Sequence, residues 1–531
     1  MLRISEIILP LGADEQELIR RAALRLKVKP SDISRIQLVK KSVDARKKSD
    51  VHFICTVDAA LKKPENEVLA SCRDVKIGAA APYLYQAPPY RKLAKRPVVV
   101  GFGPAGMFAA LILAQAGQRP IVLERGAAVE EREQEVKRFW SGGGLDPESN
   151  VQFGEGGAGT FSDGKLNTGT KDRRARKVLE EFCAAGAPEE ILYQAKPHIG
   201  TDKLPAAVKN IRKTIISLGG EVRFHTKLEQ ILQKDGMVCG VRLISAETGP
   251  DELETDSVIL AIGHSARDTF ETLCESGLAM EQKPFSVGAR IEHLQRSVNI
   301  AQYGRFAGHP DLGAADYKLA VHLKNGRGVY TFCMCPGGTV LAAASEQGRL
   351  VTNGMSAFAR DGENANSALL VGVGPRDFGG SHPLDGVRFQ RKLEEAAFRL
   401  GGGDYRAPVQ RVEDFLKGRA TSVLGEISPT YRPGVTPCSL AECLPREITE
   451  SMQEGIRQMD GRLKGFAHPD AVLTAVESRS SSPVRILRGD DLQSLTLKGL
   501  YPCGEGAGYA GGIISAAVDG IRCAERAMAL K

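Results

Sequence analysis

Val98-Val-Val-Gly101-Phe-Gly103-Pro104-Ala105-Gly106-Met107 is the stretch from which the rest of this chain is read. Three β-branched apolar residues read as a buried strand, the glycines as a turn, and Met107–Gly117 as a helix. Gly101 permits the tight turn, Gly103 lets backbone approach a diphosphate, and Gly106 lets the helix pack on the sheet. The helix N-terminus, opening at Pro104 and Ala105, offers free N–H groups to an anion. A second strand, Pro120–Glu124, follows. Glu124 stands 18 residues past Gly106, placed to accept hydrogen bonds from both hydroxyls of a ribose and to repel a 2′-phosphate. The pattern is that of a dinucleotide-binding βαβ unit; a glycine turn without a ligand is the plain alternative. Val98–Ala114 holds 17 residues without a charged or amide side chain, close to spanning length. Its Gly-Pro-Ala-Gly interior breaks it into strand, turn and helix, so no membrane span is expected.

The far C-terminus decides which nucleotide is expected. Leu500-Tyr-Pro-Cys-Gly504-Glu505 reads as a strand ending in Gly and an acid, and Gly511-Gly512-Ile513 then opens an apolar helix. In flavoproteins a Gly–acid pair at such a point holds the ribityl chain. The next helix aims its positive end at the pyrimidine edge of the flavin. A simple NAD dehydrogenase has no use for this second element, so FAD is expected. Between the two lies Asn150-Val-Gln-Phe-Gly154-Glu-Gly156-Gly157-Ala158-Gly159-Thr160-Phe-Ser-Asp-Gly164-Lys165-Leu. Five glycines in eleven residues suit backbone N–H groups lining phosphates or a ring, with a flexible linker as the alternative. Lys165 is a candidate cation near flavin N5 or a substrate acid, or else an ordinary surface charge.

These three stretches together resemble the large class of FAD enzymes that includes fumarate reductase and p-hydroxybenzoate hydroxylase. More narrowly, the chain resembles the bacterial FAD-dependent, or NAD(FAD)-utilizing, dehydrogenases. The narrower likeness rests on Asn150–Leu166, His198–Asp202, Phe332-Cys-Met-Cys-Pro-Gly-Gly338, Asn353–Ser356, Asn364–Ser367 and Glu477–Ile486. It implies a discontinuous FAD-binding domain with the substrate domain inserted, and it names no substrate. It further implies that Ala261 and Gly263 run beside the cofactor, that Leu228 meets the adenine, and that Arg125 and Arg132 approach the diphosphate. Glu505 stands where the wider class generally has Asp, which alters how the ribityl hydroxyls are reached.

Working outward, the expected fold is α/β: a discontinuous Rossmann-like FAD-binding domain (93–280 and 466–531), an inserted mixed α+β substrate domain (281–465) and an N-terminal ferredoxin-like module (1–92). Ala79–Lys95, with prolines 82, 88 and 89, reads as a linker. Residues 1–95 carry 19 Lys/Arg and 11 Asp/Glu, so the positive excess of the chain belongs to this module. A solvated face or an RNA partner would account for it, and interleaved aromatics suited to stacking bases are lacking. Eleven irregular cysteines suggest a reducing, cytoplasmic compartment, and Met1–Gly12 does not read as a signal peptide. No Cys-x₂-Cys or His cluster suggests a metal.

The expected activity is an oxidoreductase or dehydrogenase passing a hydride through flavin N5 to or from a small, anionic substrate. NAD(P)H is expected only as a transient donor, since no second glycine-turn unit is present; an FAD monooxygenase and an RNA-associated flavoprotein are the alternatives. Lys165, His264 (as a proton donor) and Arg479 (as an anion clamp) are the catalytic candidates, with Arg290 and Glu477 beside them. Cys333 and Cys335, two apart in a strand, are expected to face one side and be buried as packing.

Overall fold

The computed structural model describes residues 1–72, 74–81 and 83–530; the linker's Pro82 lies outside them. Val98–Val100 is the middle strand of a five-stranded parallel sheet. In space the order is Leu500–Pro502, Val258–Leu260, Val98–Val100, Ile121–Leu123 and Glu221–Arg223. The first four are wholly buried runs, as parallel strands covered on both faces require. Segments more than 150 residues apart in the chain thus pair side by side, which a local pattern cannot reveal. The helix Pro104–Gln115 follows with Pro at its first position, where the missing N–H is not needed. Ala105–Ala114 is buried on every side, because the helix lies between the sheet and the helices Leu204–Ser217 and Ile513–Met528.

An antiparallel meander, Thr226–Lys234, Met237–Ser245 and Gly249–Glu254, covers one flank. The chain then crosses into a seven-stranded sheet through Met280–Gln282 and returns through Val484–Ile486. These two crossing strands pair with each other, Gln282 opposite Val484. The large sheet runs Ala320–His322, Gly328–Cys335, Asn364–Val373, Phe285–Leu294, Val472–Glu477, Ala407–Arg411, Val435–Pro437, antiparallel except for its last pair. Val472–Glu477 belongs to this sheet, so the return to the nucleotide unit comes after Glu477 and not at 466. Phe285–Leu294 is buried at every position, and the helix Arg446–Asp460 packs across the sheet.

The N-terminal residues form β-α-β-β-α-β: Leu2–Pro10, Glu15–Leu26, Ile33–Asp44, His52–Leu61, Glu65–Ser71, Ile77–Ala79. Their sheet order is second, third, first, fourth, the order of a ferredoxin-like unit. Leu18, Ala22 and Leu26 line the buried face of the helix, at the spacing read from the sequence. The edge strand docks on the nucleotide unit: Lys41 N donates to Tyr193 O at 2.7 Å and Ala195 N to Lys41 O at 2.9 Å. Arg3, Arg20, Arg21, Arg25, Arg46, Lys63 and Lys76 each pair with a carboxylate of the module itself, which leaves its net positive excess as the sequence counts it. The linker is held along the last helix by Arg91 N to Met528 O (2.9 Å) and Tyr85 OH to Glu525 (2.8 Å). Among the described residues no helix is long and apolar enough to cross a membrane.

Candidate functional site

The parallel strands release their following loops at one end of the sheet, the edge where open α/β sheets bind ligands. Gly101, at φ +93°, is pressed against the next strand's exit: a Cβ there would lie 2.4 Å from Ala261 O. A Cβ on Gly106 would lie 1.9 Å from Gly101 O. The remote pieces interlock in the same way. Hypothetical Cβ atoms on Gly504 and Gly506 would stand 2.6 Å from Ala105 Cβ and 2.4 Å from Gly263 O, and one on Gly159 3.4 Å from Ile513. Gly157 presses on Gly103, with 3.0 Å from its would-be Cβ to Gly103 Cα. The turns at 101–106, 156–160, 261–264 and 504–513 therefore meet around one cleft.

Other glycines face that cleft. A Cβ on Gly103 would have no neighbour closer than Gly157 Cα at 3.8 Å, and on Gly263 or Gly511 none within 4 Å. The helices beginning at Pro104 and Ile513 have no side chain capping their N-termini, at Gly103 and Gly512, so their first N–H groups await an acceptor. Glycines that keep a cradle empty and two uncapped helix starts fit FAD, with its diphosphate at one and its electron-rich ring edge at the other.

The flanking residues are held by the protein itself. Glu124 accepts from Phe102 N (2.8 Å), Gly126 N (3.0 Å) and Gly154 N (2.9 Å). Of about four acceptor positions on a carboxylate, one is left for a ribose hydroxyl, where two were expected. Arg125 is engaged by Asp268 (2.8 and 2.9 Å) and Glu148 (2.7 Å). Arg132, fully buried, donates to the carbonyls of Asn150, Val151 and Glu155 and so moulds the glycine segment from beneath. Asn150 Oδ1 accepts from Gln152 N and Phe153 N, and Thr160 donates to Glu155 O, so both shape the same segment. Leu228 is buried in Thr226–Lys234, the strand whose Thr226 N bonds Glu124 O. The sequence reading missed Asp519, which accepts from Gly504 N (2.8 Å) and from both Arg488 Nη atoms, fixing the Gly–acid turn from inside the last helix.

The chemistry-bearing groups divide into locked and open. Arg479 is locked: Glu394 takes its Nε and Nη2 at 3.0 and 2.9 Å, and Ser265 and Ser345 take Nη1. Glu394 also binds Arg267 through both oxygens, and the two guanidinium groups hold its carboxyl well below the usual range. Four of the five N–H donors of Arg479 are taken and the fifth, on Nη2, stands beside Glu346 at 3.7 Å, so the guanidinium is not free to clamp a substrate. Arg290, likewise buried, is bound to Glu477 and Asn366.

His264 is open. Burial, with Arg479 and Arg267 nearby, pushes its pKa down to about 3, so the ring is neutral. Ser265 Oγ donates its one proton to Gln152 Oε1 (3.1 Å), whose orientation is fixed by Gln152 Nε2 donating to Ala343 O. His264 Nδ1, 3.0 Å from Ser265 Oγ, is then the ring's N–H, and Nε2 carries a lone pair. That makes it an acceptor, not the proton donor expected. Glu505 has its pKa raised to about 7 by burial, opposed by the Lys283 ammonium. Lys165 pairs across a bridge with His198 and carries the glycine segment to the second sheet.

The cysteines differ from expectation. Cys335 is buried, but Cys333 is exposed. The strand bulges between Phe332 and Cys335, with Cys333 at φ +40°, and the bulge breaks the two-residue alternation on which the packing argument relied.

A protein of Clostridium beijerinckii, described as uncharacterized, is 51% identical to this chain over 527 residues, 99% of this chain and 98% of that one. The chain belongs to that protein's family. Within the family's fold, residues 284–480 match the family described as FAD-dependent protein, C-terminal domain-like, and residues 1–60 match a domain of unknown function, DUF8436. The first match contains all seven strands of the larger sheet. Among solved structures, a variant of the FrdA subunit of Escherichia coli quinol fumarate reductase is 12% identical, covering 82% of this chain and 70% of that one at a TM-score of 0.38. The flavin-dependent brominase Bmp2 is 11% identical, covering 81% and 77%, at 0.37. Scores of that size decide nothing about function.

Proposed function

We propose that the cleft binds FAD and that the chain is an FAD-dependent oxidoreductase acting on a small anionic molecule. The convergence of the 101–106, 156–160 and 504–513 turns around glycines that face open space supports this reading most directly. FAD, when bound, supplies hydride transfer at N5, with NADH or NADPH as a transient donor.

The protein's part is to bind, orient and tune. The helix Pro104–Gln115 directs its uncapped N–H groups at the diphosphate, and Gly103 leaves the space for it. The helix Ile513–Met528 offers its positive end to the ring edge that gains charge. Glu505 accepts from the ribityl hydroxyls. His264, with Nδ1–H tied to Ser265, stays neutral and presents the Nε2 lone pair as a hydrogen-bond acceptor to the substrate. Purified protein is expected to be yellow, and stopped-flow mixing with NADH and NADPH separately identifies the donor by bleaching of the flavin band. A colourless protein that takes up no added FAD would end this reading. Oxygen consumption that depends on substrate would redirect it to a monooxygenase.

A further inference from the structure

The segment that closes on Gly103 at its Gly157 end reaches the seven-stranded sheet at its Lys165 end. There it meets the bulge at Cys333. A residue with a Cβ at φ +40° is costly, and such strain persists where surrounding structure holds it. Here the holder is Arg290, with no exposed surface, whose Nη2 donates to Cys333 O at 2.9 Å and to Asn366 Oδ1 at 2.5 Å. The Cys333 carbonyl is drawn into the protein and its thiol is left accessible. Desolvation still pushes that thiol up to about 12.

Among the described residues, two donors of this cluster lack partners. Because Arg290 fixes which way the Asn366 amide faces, Asn366 Nδ2 is a true N–H donor, and in a residue with no exposure it has no acceptor. Lys165 Nζ is shielded from solvent and makes no hydrogen bond. Its one ion contact, Asp163 Oδ2 at 3.3 Å, is shared with Arg360, which binds both oxygens of Asp163 at 3.0 and 2.5 Å. Lys165 is the leading charged influence on both Cys333 and Cys335. The cations Lys165, Arg290 and Arg360 stand here with the carboxylates Asp163 and Glu477, each of which is already bound to an arginine. Shielded donors without acceptors, one of them a lysine whose carboxylate is shared with Arg360, call for an oxygen anion.

We propose that Lys165, Asn366 and the bulged Cys333 form a carboxylate subsite that takes the acid group of a small organic acid and sets its carbon skeleton against the thiol. That this subsite is the substrate pole of the enzyme rests on the flavin reading of the adjoining cleft; its anion preference does not. The test is charge-selective alkylation of the full-length purified protein. Iodoacetate carries a carboxylate, whereas iodoacetamide is its neutral counterpart. With either, the S–C bond forms as the C–I bond breaks, iodide leaves with the electron pair, and the thiol proton passes to buffer. Peptide mass spectrometry reads both rates at Cys333 and, as an internal reference, at exposed Cys239.

The iodoacetate-to-iodoacetamide rate ratio at Cys333 is expected to exceed that at Cys239 by about fivefold, the factor for one unit charge at a solvent-screened contact. Lys165→Gln should bring the two ratios together, and Lys165→Arg should keep them apart. An equal ratio at the two cysteines overturns the proposal. So does a preference untouched by Lys165→Gln, or a Cys333 that stays unlabelled while Cys239 reacts. Flavin absorbance of the same preparation is read first, so a colourless protein marks failure of the flavin reading whatever the alkylation shows.

Discussion

Substituting Gly103 with Val separates the cleft from the packing around it. Gly103 lies at φ −73°, ψ −176°, a conformation open to any residue, so Val brings no backbone strain. Its Cβ would stand 3.8 Å from Gly157 Cα, an ordinary contact, while the two methyl groups project into the space assigned to the diphosphate. Folding is therefore expected to change by less than about 1 kcal/mol. Flavin affinity is expected to fall at least about a hundredfold, equivalent to about 2.7 kcal/mol. Gly106→Ala is the counterpart. Its Cβ would lie 1.9 Å from Gly101 O, where a carbon–oxygen contact normally needs about 3.3 Å. Overpacking of that size costs about 1–3 kcal/mol or more, and so lowers Tm by about 5–10 °C. Flavin-to-protein ratio by absorbance and Tm by calorimetry of the flavin-free forms read the two effects separately. Gly103→Val that keeps a full complement of flavin, or Gly106→Ala with unchanged Tm, would refute the assignment of these glycines.

Glu394→Gln leaves Arg267 and Arg479 buried without their shared counter-ion and is expected to lose about 3–5 kcal/mol in denaturant titration; an unchanged midpoint would contradict the buried network. Glu505, raised to about 7 from 4.5, keeps its proton longer folded than unfolded, so its contribution is present below 4.5 and lost as pH rises through 7. Flavin-free Glu505→Gln should therefore gain in Tm over the natural protein across that window, whereas parallel curves would show Glu505 in contact with solvent. His264 has the opposite sign. Lowered from 6.5 to about 3, its contribution is full above 6.5 and drains as pH falls toward 3, and His264→Gln should flatten that slope. The full-length protein is expected to show no retention on an RNA column even at low salt, because the N-terminal module lacks aromatics interleaved with its basic residues; salt-sensitive retention would revive the RNA alternative.

The sequence spoke most clearly where one local rule sufficed. Gly101-Phe-Gly-Pro-Ala-Gly106 and Gly504-Glu505 marked both walls of the cleft, because Gly101, Gly106 and Gly504 each answer a close contact and Gly103 leaves open space. Phe285–Leu294 and Asn364–Val373 were silent: with both faces covered they lose the polar alternation that announces a strand. The roles of Arg479, Arg125 and Arg132 were not legible either, since their carboxylate and carbonyl partners lie far away along the chain. Cys333 was misread for a different reason. A bulge depends on pairing with Asn364–Val373, and no motif in Phe332-Cys-Met-Cys335 announces it.

The paired crossing of Met280–Gln282 with Val484–Ile486 has a bearing on how such a molecule is assembled. Where Gln282 sits opposite Val484, the outgoing and returning chains are one strand spacing apart, about 5 Å. Some two hundred residues are thus hung from a doorway as narrow as a hairpin's, so the half built on the five-stranded sheet can close that sheet whatever hangs there. Lineages could exchange the hanging portion, and with it what is recognised, while the hinge post and its two strands stay put.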